Sequence, residues 1–227
     1  GFSSEILDYI SDIVEGDARQ AITMLELLSN VGIDFSLDEV KEIIGKGKAY
    51  HKTEDKYDTI SAMIKSIRGS DPDAAIYWLA KMLSGGEDPL YTARRLVILA
   101  SEDIGLANPQ ALPIAVAGMQ AAKDIGMPEV RIILAEVALY LALSPKSNSA
   151  YNAIDDALYN IENSRIQEIP SHLKKVGKKD YKYPHAYDNN FVNQKYMLEK
   201  IEFYKAGKNK FEDAALDRLD KLWNNKK

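Results

Sequence analysis

DTISAMIKSIRGSDPDAAIYWLAKML at residues 58–83, followed by GEDPLYTARR at 86–95 and SEDIGLANPQAL at 101–112, decides the fold class. Ile60, Ile64 and Ile67 recur at helical spacing until Gly69, and Asp71 then stands directly before Pro72. An aspartate in that position accepts from the free N–H groups of a first turn, and a proline at the first helical position gives up no hydrogen bond. The device recurs at Asp88-Pro89 and Asn108-Pro109, which predicts three helix starts, and Gly85-Gly86, Gly105 and Gly126 mark the ends. Connections this short make a tight array. No segment alternates apolar and polar residues as a strand does, so the chain is predicted to be all-α, a multi-helix array.

Upstream, Ile6, Ile10, Ile13 and Val14 share a helical face up to Gly16, where Asp17 and Gln20 have the spacing of a capping box. The next helix is expected to start at Ala18 and turn Ile22, Leu25 and Leu28 inward. Ser36 and Glu39 repeat the capping-box spacing before a short helix to Ile44. Gly45-Lys46-Gly47 reads as a boundary, which divides the chain into a small unit at 1–48 and a larger helical unit at 49–227, with a polar linker at 50–55.

Downstream, the helix from Pro109 to Ile125 carries Ala111, Ala115, Ala117, Gly118, Ala121 and Ala122. Small residues let a neighbouring helix come close, either within the subunit or in a subunit contact. Pro128 to Leu143 and Ser147 to Ile161 read as two more helices, broken at Ser144-Pro145. After Pro170 an irregular stretch rich in Lys and Tyr leads to a last amphipathic helix with Phe211, Ala215, Leu219 and Leu222.

Composition removes several function classes. The chain has no cysteine, which excludes disulfides and thiolate metal sites, and His51, His172 and His185 are too few and too scattered to suggest a histidine site. No apolar run approaches the roughly 20 residues that span a bilayer, and residues 1–5 have no signal-peptide pattern. A cytoplasmic protein with no membrane partner is expected. A net charge of -5 argues against a surface that is basic throughout but leaves room for a local basic patch. No G-x-x-x-x-G-K-[ST] loop occurs, nor a Ser-His-Asp or zinc-type spacing. Within these residues neither catalysis nor a bound cofactor or metal is therefore expected.

Three groups of residues invite a functional reading. Arg19 falls in a first helical turn, beside the positive end of the helix dipole where acidic residues are preferred. It can serve there as an anion contact or pair with a carboxylate such as Glu15. Lys174, Lys175, Lys178, Lys179 and Lys182 alternate with Tyr181, Tyr183, His185 and Tyr187. That mixture suits single-stranded DNA, with lysines on phosphates and tyrosines under bases, and equally suits a solvated loop pinned to a core. Arg94 and Arg95, with Ser101, Glu102 and Asp103, read as ion pairs within a helix or between subunits, the two acids forming a solvated face.

Gly16-Asp17-Ala18-Arg19, continuing through Ala21 and Met24-Leu25-Glu26, resembles the second-sensor helix in the lid of clamp-loader-type AAA+ ATPases. The strings quoted at 58–112, with IGMPE at 125–129 and YLALSPKSNSAY at 140–151, resemble the replication-associated recombination protein A family. This family is called RarA or MgsA in bacteria, and the Werner-helicase-interacting protein is its eukaryotic relative. The resemblance implies a partial AAA+ lid at 1–48 followed by a helical tetramerisation domain at 49–227. It implies an oligomerisation role within a DNA-dependent ATPase that acts at stalled forks in replication, recombination and repair. ATP and magnesium would belong to the whole ATPase, with DNA and single-stranded DNA-binding protein as its partners beside copies of itself. Arg19 would be the second-sensor arginine that meets the ATP phosphates. Gln20 stands where the family often has a basic residue, and Ala186 with residues 188–190 departs from its usual proline and glycine pattern.

Overall fold

The structure, a computed structural model, describes residues 2–14, 18–31, 35–45, 53–175 and 180–224. Among these residues it holds ten α-helices and no strand. The Asp17–Gln20 capping box and the Gly45-Lys46-Gly47 boundary fall wholly or partly outside the described residues.

Helices α1 (Ser4–Val14), α2 (Ala18–Val31) and α3 (Leu37–Gly45) enclose a small core of Ile6, Ile10, Val14, Met24, Leu28, Val40 and Ile44. The expected capping box starts α3: Glu39 N–H donates to Ser36 Oγ at 3.3 Å, and Ser36 N–H donates to Glu39 Oε2 at 2.8 Å. These bonds from the Ser36 backbone and hydroxyl hold the Glu39 carboxyl below its ordinary pKa. In α2 the expected inward face needs correction, because Ile22 is 57% exposed. The face that packs is Ala21, Met24, Leu25 and Leu28, and one residue step turns a helix by about 100°, which carries Ile22 off that stripe.

Helix α4 (Thr53–Arg68) begins inside the expected linker. Among its described side chains the first buried are Thr59 and Ile60, and the sequence before them, Thr53 to Asp58, has no hydrophobic period. It packs with α5 (Pro72–Ser84), α6 (Pro89–Leu99), α7 (Ala111–Asp124) and α8 (Val130–Leu143) around Met63, Ile67, Leu79, Leu96, Leu134 and Leu141. Helix α8 lies at the centre and touches the other four. Gly118 allows this: a Cβ there would stand 2.5 Å from Val137 Cγ2. Ala111 and Ala115 are buried along the same face, which places these small residues in a contact within the chain.

Two of the three proline devices work as expected. Asp71 Oδ1 accepts from Ala74 N–H and Asp88 Oδ1 from Leu90 N–H, both at 2.9 Å. The third caps as expected but its helix starts late: Asn108 Oδ1 accepts from Gln110 N–H at 3.2 Å, while α7 begins only at Ala111. The Asn108 Nδ2 group donates to the Tyr140 hydroxyl at 2.9 Å and to Ser144 Oγ at 3.0 Å, and so ties the turn to α8. Lys146 finishes α8 by donating to the carbonyls of Leu141, Ala142 and Ser144, at the helix end where acceptors outnumber backbone donors.

Helix α6 runs into a π-helical turn, Ala100–Ile104, and a 3-10 turn, Gly105–Ala107. Gly105 has φ 46°, and a Cβ there would sit 2.9 Å from the Ser147 carbonyl oxygen. Between α9 (Ser149–Asn163) and α10 (Lys210–Asn224) the described residues are irregular apart from short 3-10 turns. Two glutamines replace regular pairing in this stretch. Gln194 bonds both the N–H and the carbonyl of Lys182, and Gln167 does the same to Glu199.

The apolar face expected for α10 is also corrected. Phe211 and Leu219 are exposed, while Glu212 is fully buried. The helix is seated by its first turn. Glu212 Oε1 accepts from Ser149 Oγ (2.5 Å), the Tyr204 hydroxyl (2.9 Å) and Gly207 N–H (3.1 Å). Its Oε2 accepts from Ser147 Oγ (2.6 Å) and Asn209 Nδ2 (2.5 Å).

Candidate functional site

The acids expected on a solvated face are drawn into a tertiary pairing instead. Widening to a π turn aims Glu102 and Asp103 back at Arg68, the last residue of α4. Arg68 Nε donates to Asp103 Oδ1 at 2.5 Å, and Nη2 donates to Asp103 Oδ2 at 3.1 Å and to Glu102 Oε1 at 3.2 Å. Asp103 is nearly buried, and its hydrogen bond is the chief cause that raises the Arg68 pKa. The pairing therefore runs between elements, and Arg68 had not been singled out in the sequence. Its partners are 34 and 35 residues away, beyond any local spacing rule.

Arg19 lies in the first turn of α2. Lys174, Lys175, Tyr181 and Lys182 are all exposed, whereas Lys178 and Lys179 lie outside the described residues. The Tyr183 ring tilts against His185 at 5.1 Å, and the two Gln194 bonds pin the backbone of Lys182. No helix among the described residues is long and apolar enough to cross a membrane.

An exposed apolar surface that was not read from the sequence lies on α9. On α9, Tyr151, Ile154, Leu158 and Ile161 are 46–55% exposed. Their spacing of three, four and three residues puts them on one stripe. A second apolar feature is a groove of about 900 Å³ between α5 and α8, lined by Ile76, Leu83, Met127, Ile132, Ala135 and Leu139. The period of α9 was legible, but whether its apolar side met this chain or solvent was not.

Two family models match this helical chain, and both describe C-terminal parts of AAA-type proteins. Residues 69–223 match the model described as MgsA AAA+ ATPase C terminal, and residues 1–68 match the AAA C-terminal domain. The chain belongs to the replication-associated recombination protein A family, RarA or MgsA. It is 42% identical to Replication-associated recombination protein A of Bacillus subtilis, over 93% of this chain and 55% of that protein. It is 37% identical to the Escherichia coli K12 protein of the same name, over 81% of this chain and 45% of that one. It is also 36% identical to ATPase WRNIP1 of Dictyostelium discoideum, over 85% of this chain and 26% of the relative. The chain thus spans about half the length of the bacterial relatives.

Proposed function

We propose that the chain is the oligomerisation part of a clamp-loader-type AAA+ ATPase working in DNA replication, recombination and repair, and that its first partner is itself, in a homotetramer. The observation that carries this reading is the α9 stripe, a row of large apolar side chains facing water. An apolar strip of this kind on a free monomer is uncommon and marks an interaction site. A second copy is the occupant that symmetry makes economical, because one surface then serves every subunit. The names of the bacterial relatives supply replication and recombination as the process, and repair is part of the proposal.

Residues 1–48 then form part of the lid and 49–227 the assembly domain, a division supported by the packing of α4 into the larger core. Arg19 is the second-sensor arginine, a cation on the lid that meets the ATP phosphates when the lid closes. ATP and magnesium act in the whole ATPase, whose further partners are DNA and single-stranded DNA-binding protein. A second reading, single-strand contact through Lys174, Lys175, Lys178, Lys179, Tyr181 and Lys182, is supported by the exposure of the four of them that are described.

Multi-angle light scattering across a dilution series tests the assembly role. Four chains of 25.4 kDa give about 102 kDa, and that mass is expected to persist at micromolar concentration. A persistent single-chain mass would refute the proposal.

A further inference from the structure

A cleft of about 370 Å³ opens between α4 and α6, bordered by Tyr57, Lys65, Arg68, Tyr91, Arg95 and Glu102. This is within the range of small-ligand sites, roughly 300–1,000 Å³. Its charges are unevenly committed. Arg68 is taken by Asp103 and Glu102, and the neighbouring Lys56 is taken by Glu87 at 2.9 Å while lying over the Tyr91 ring. Lys65 and Arg95 remain, and among the described residues neither is paired with a carboxylate. Arg95 Nε is moreover buried with no hydrogen-bond partner.

Arg95 lines the cleft with its Nε closed off in the wall, so an oxyanion brought into the cleft lies beside a guanidinium that no carboxylate neutralises. A guanidinium presents its donors side by side and matches a phosphate through paired hydrogen bonds. A phosphate has oxygens to spare for Lys65 on the facing helix. The cleft is larger than an ion needs, and the largely exposed Tyr57 on its border offers an aromatic face of the sort on which a base stacks. We propose that the cleft between α4 and α6 binds the phosphate of a nucleotide through Arg95 and Lys65, with the nucleoside beside Tyr57. The nucleotide is either free or one unit of a single strand. This site is separate from the α9 stripe and from the Lys and Tyr stretch after Pro170, and the assembly role does not require it.

The test is calorimetric titration of the chain at low salt with inorganic phosphate and with dAMP, beside anisotropy of a short fluorescent oligothymidylate. dAMP is expected to bind more tightly than phosphate, and Arg95→Leu or Lys65→Ala to weaken binding roughly tenfold, as loss of a charged hydrogen bond does. Lys123→Ala, at an exposed lysine of α7 outside the cleft, is expected to leave binding unchanged. Oligothymidylate that binds more tightly than dAMP and is displaced by phosphate identifies a strand as the source. Binding of dAMP without the oligomer identifies a free nucleotide. Lys65 is exposed, so its variant decides the matter even if Arg95→Leu fails to fold. Failure of all three probes to bind overturns the site, as does binding that Lys65→Ala leaves intact. Occupancy by an acidic peptide but by no phosphate ligand overturns it equally.

Discussion

Glu212 is a buried carboxylate held by neutral donors. Burial alone would raise its pKa, but the bonds from Ser147, Ser149, Asn209 and Gly207 outweigh that and bring it to about 2. Tyr204 moves the opposite way, to about 12, through burial and its bond to this carboxylate. A folded pKa below the unfolded value near 4.5 means that the ionised group stabilises the fold fully above about pH 4.5, and that the contribution is lost as pH falls toward about 2. Glu212→Ala is expected to cost roughly 2–4 kcal/mol near neutral pH, because it strands the hydroxyls of Ser147 and Ser149. Urea melts at a series of pH values should show the gap from wild type closing between about pH 4.5 and 2. A gap independent of pH would show that the carboxylate charge is irrelevant. What sequence can show at this scale is local: the Ser36–Glu39 box and the Asp71 and Asp88 caps were legible because their partners lie two or three residues away. The Asn209–Glu212 spacing is of the same local kind. Ser147 and Ser149 reach Glu212 only because the fold brings them there, as it brings Arg68 to Asp103.

Among the elements, α9 carries the sharpest expectation. Ile154 and Leu158 are about half exposed and belong to neither core, so replacing them should leave the subunit's own stability within about 0.5 kcal/mol. Ile154→Glu with Leu158→Glu is therefore expected to lower the mass in light scattering toward a single chain, with an unchanged circular dichroism spectrum and melting temperature. An unchanged mass would move the interface away from this stripe. The helices themselves were legible from period and punctuation. Which way they faced was less so, because period fixes a stripe but not what covers it. Both α9 and α10 have apolar periods, yet α9 turns its stripe outward and α10 is fixed through Glu212 rather than through Phe211 or Leu219.

For the molecule as a whole, a net charge of -5 opposes association by long-range repulsion, and apolar contact must overcome it. Salt screens the repulsion and does not weaken apolar burial. The assembled mass is thus expected to hold between about 0.05 and 1 M sodium chloride, checked by light scattering at fixed protein concentration. Dissociation at high salt would instead assign the interface to ion pairs. The all-α class was legible from residues 58–112, where punctuation is dense, and α1–α3 hold a core of their own. The bonds that seat α10 on Ser147 and Ser149 join positions 65 and 63 residues apart, so they close a long loop. Ring closure in a flexible polymer becomes more expensive only logarithmically with contour length, about 0.6 kcal/mol for each doubling. Away from the two glutamine pairs and from Tyr204, Gly207 and Asn209, which bond Glu212 themselves, the span from α9 to α10 can accordingly gain or lose residues at little cost, and the last helix keeps its seat while the tether that delivers it changes length.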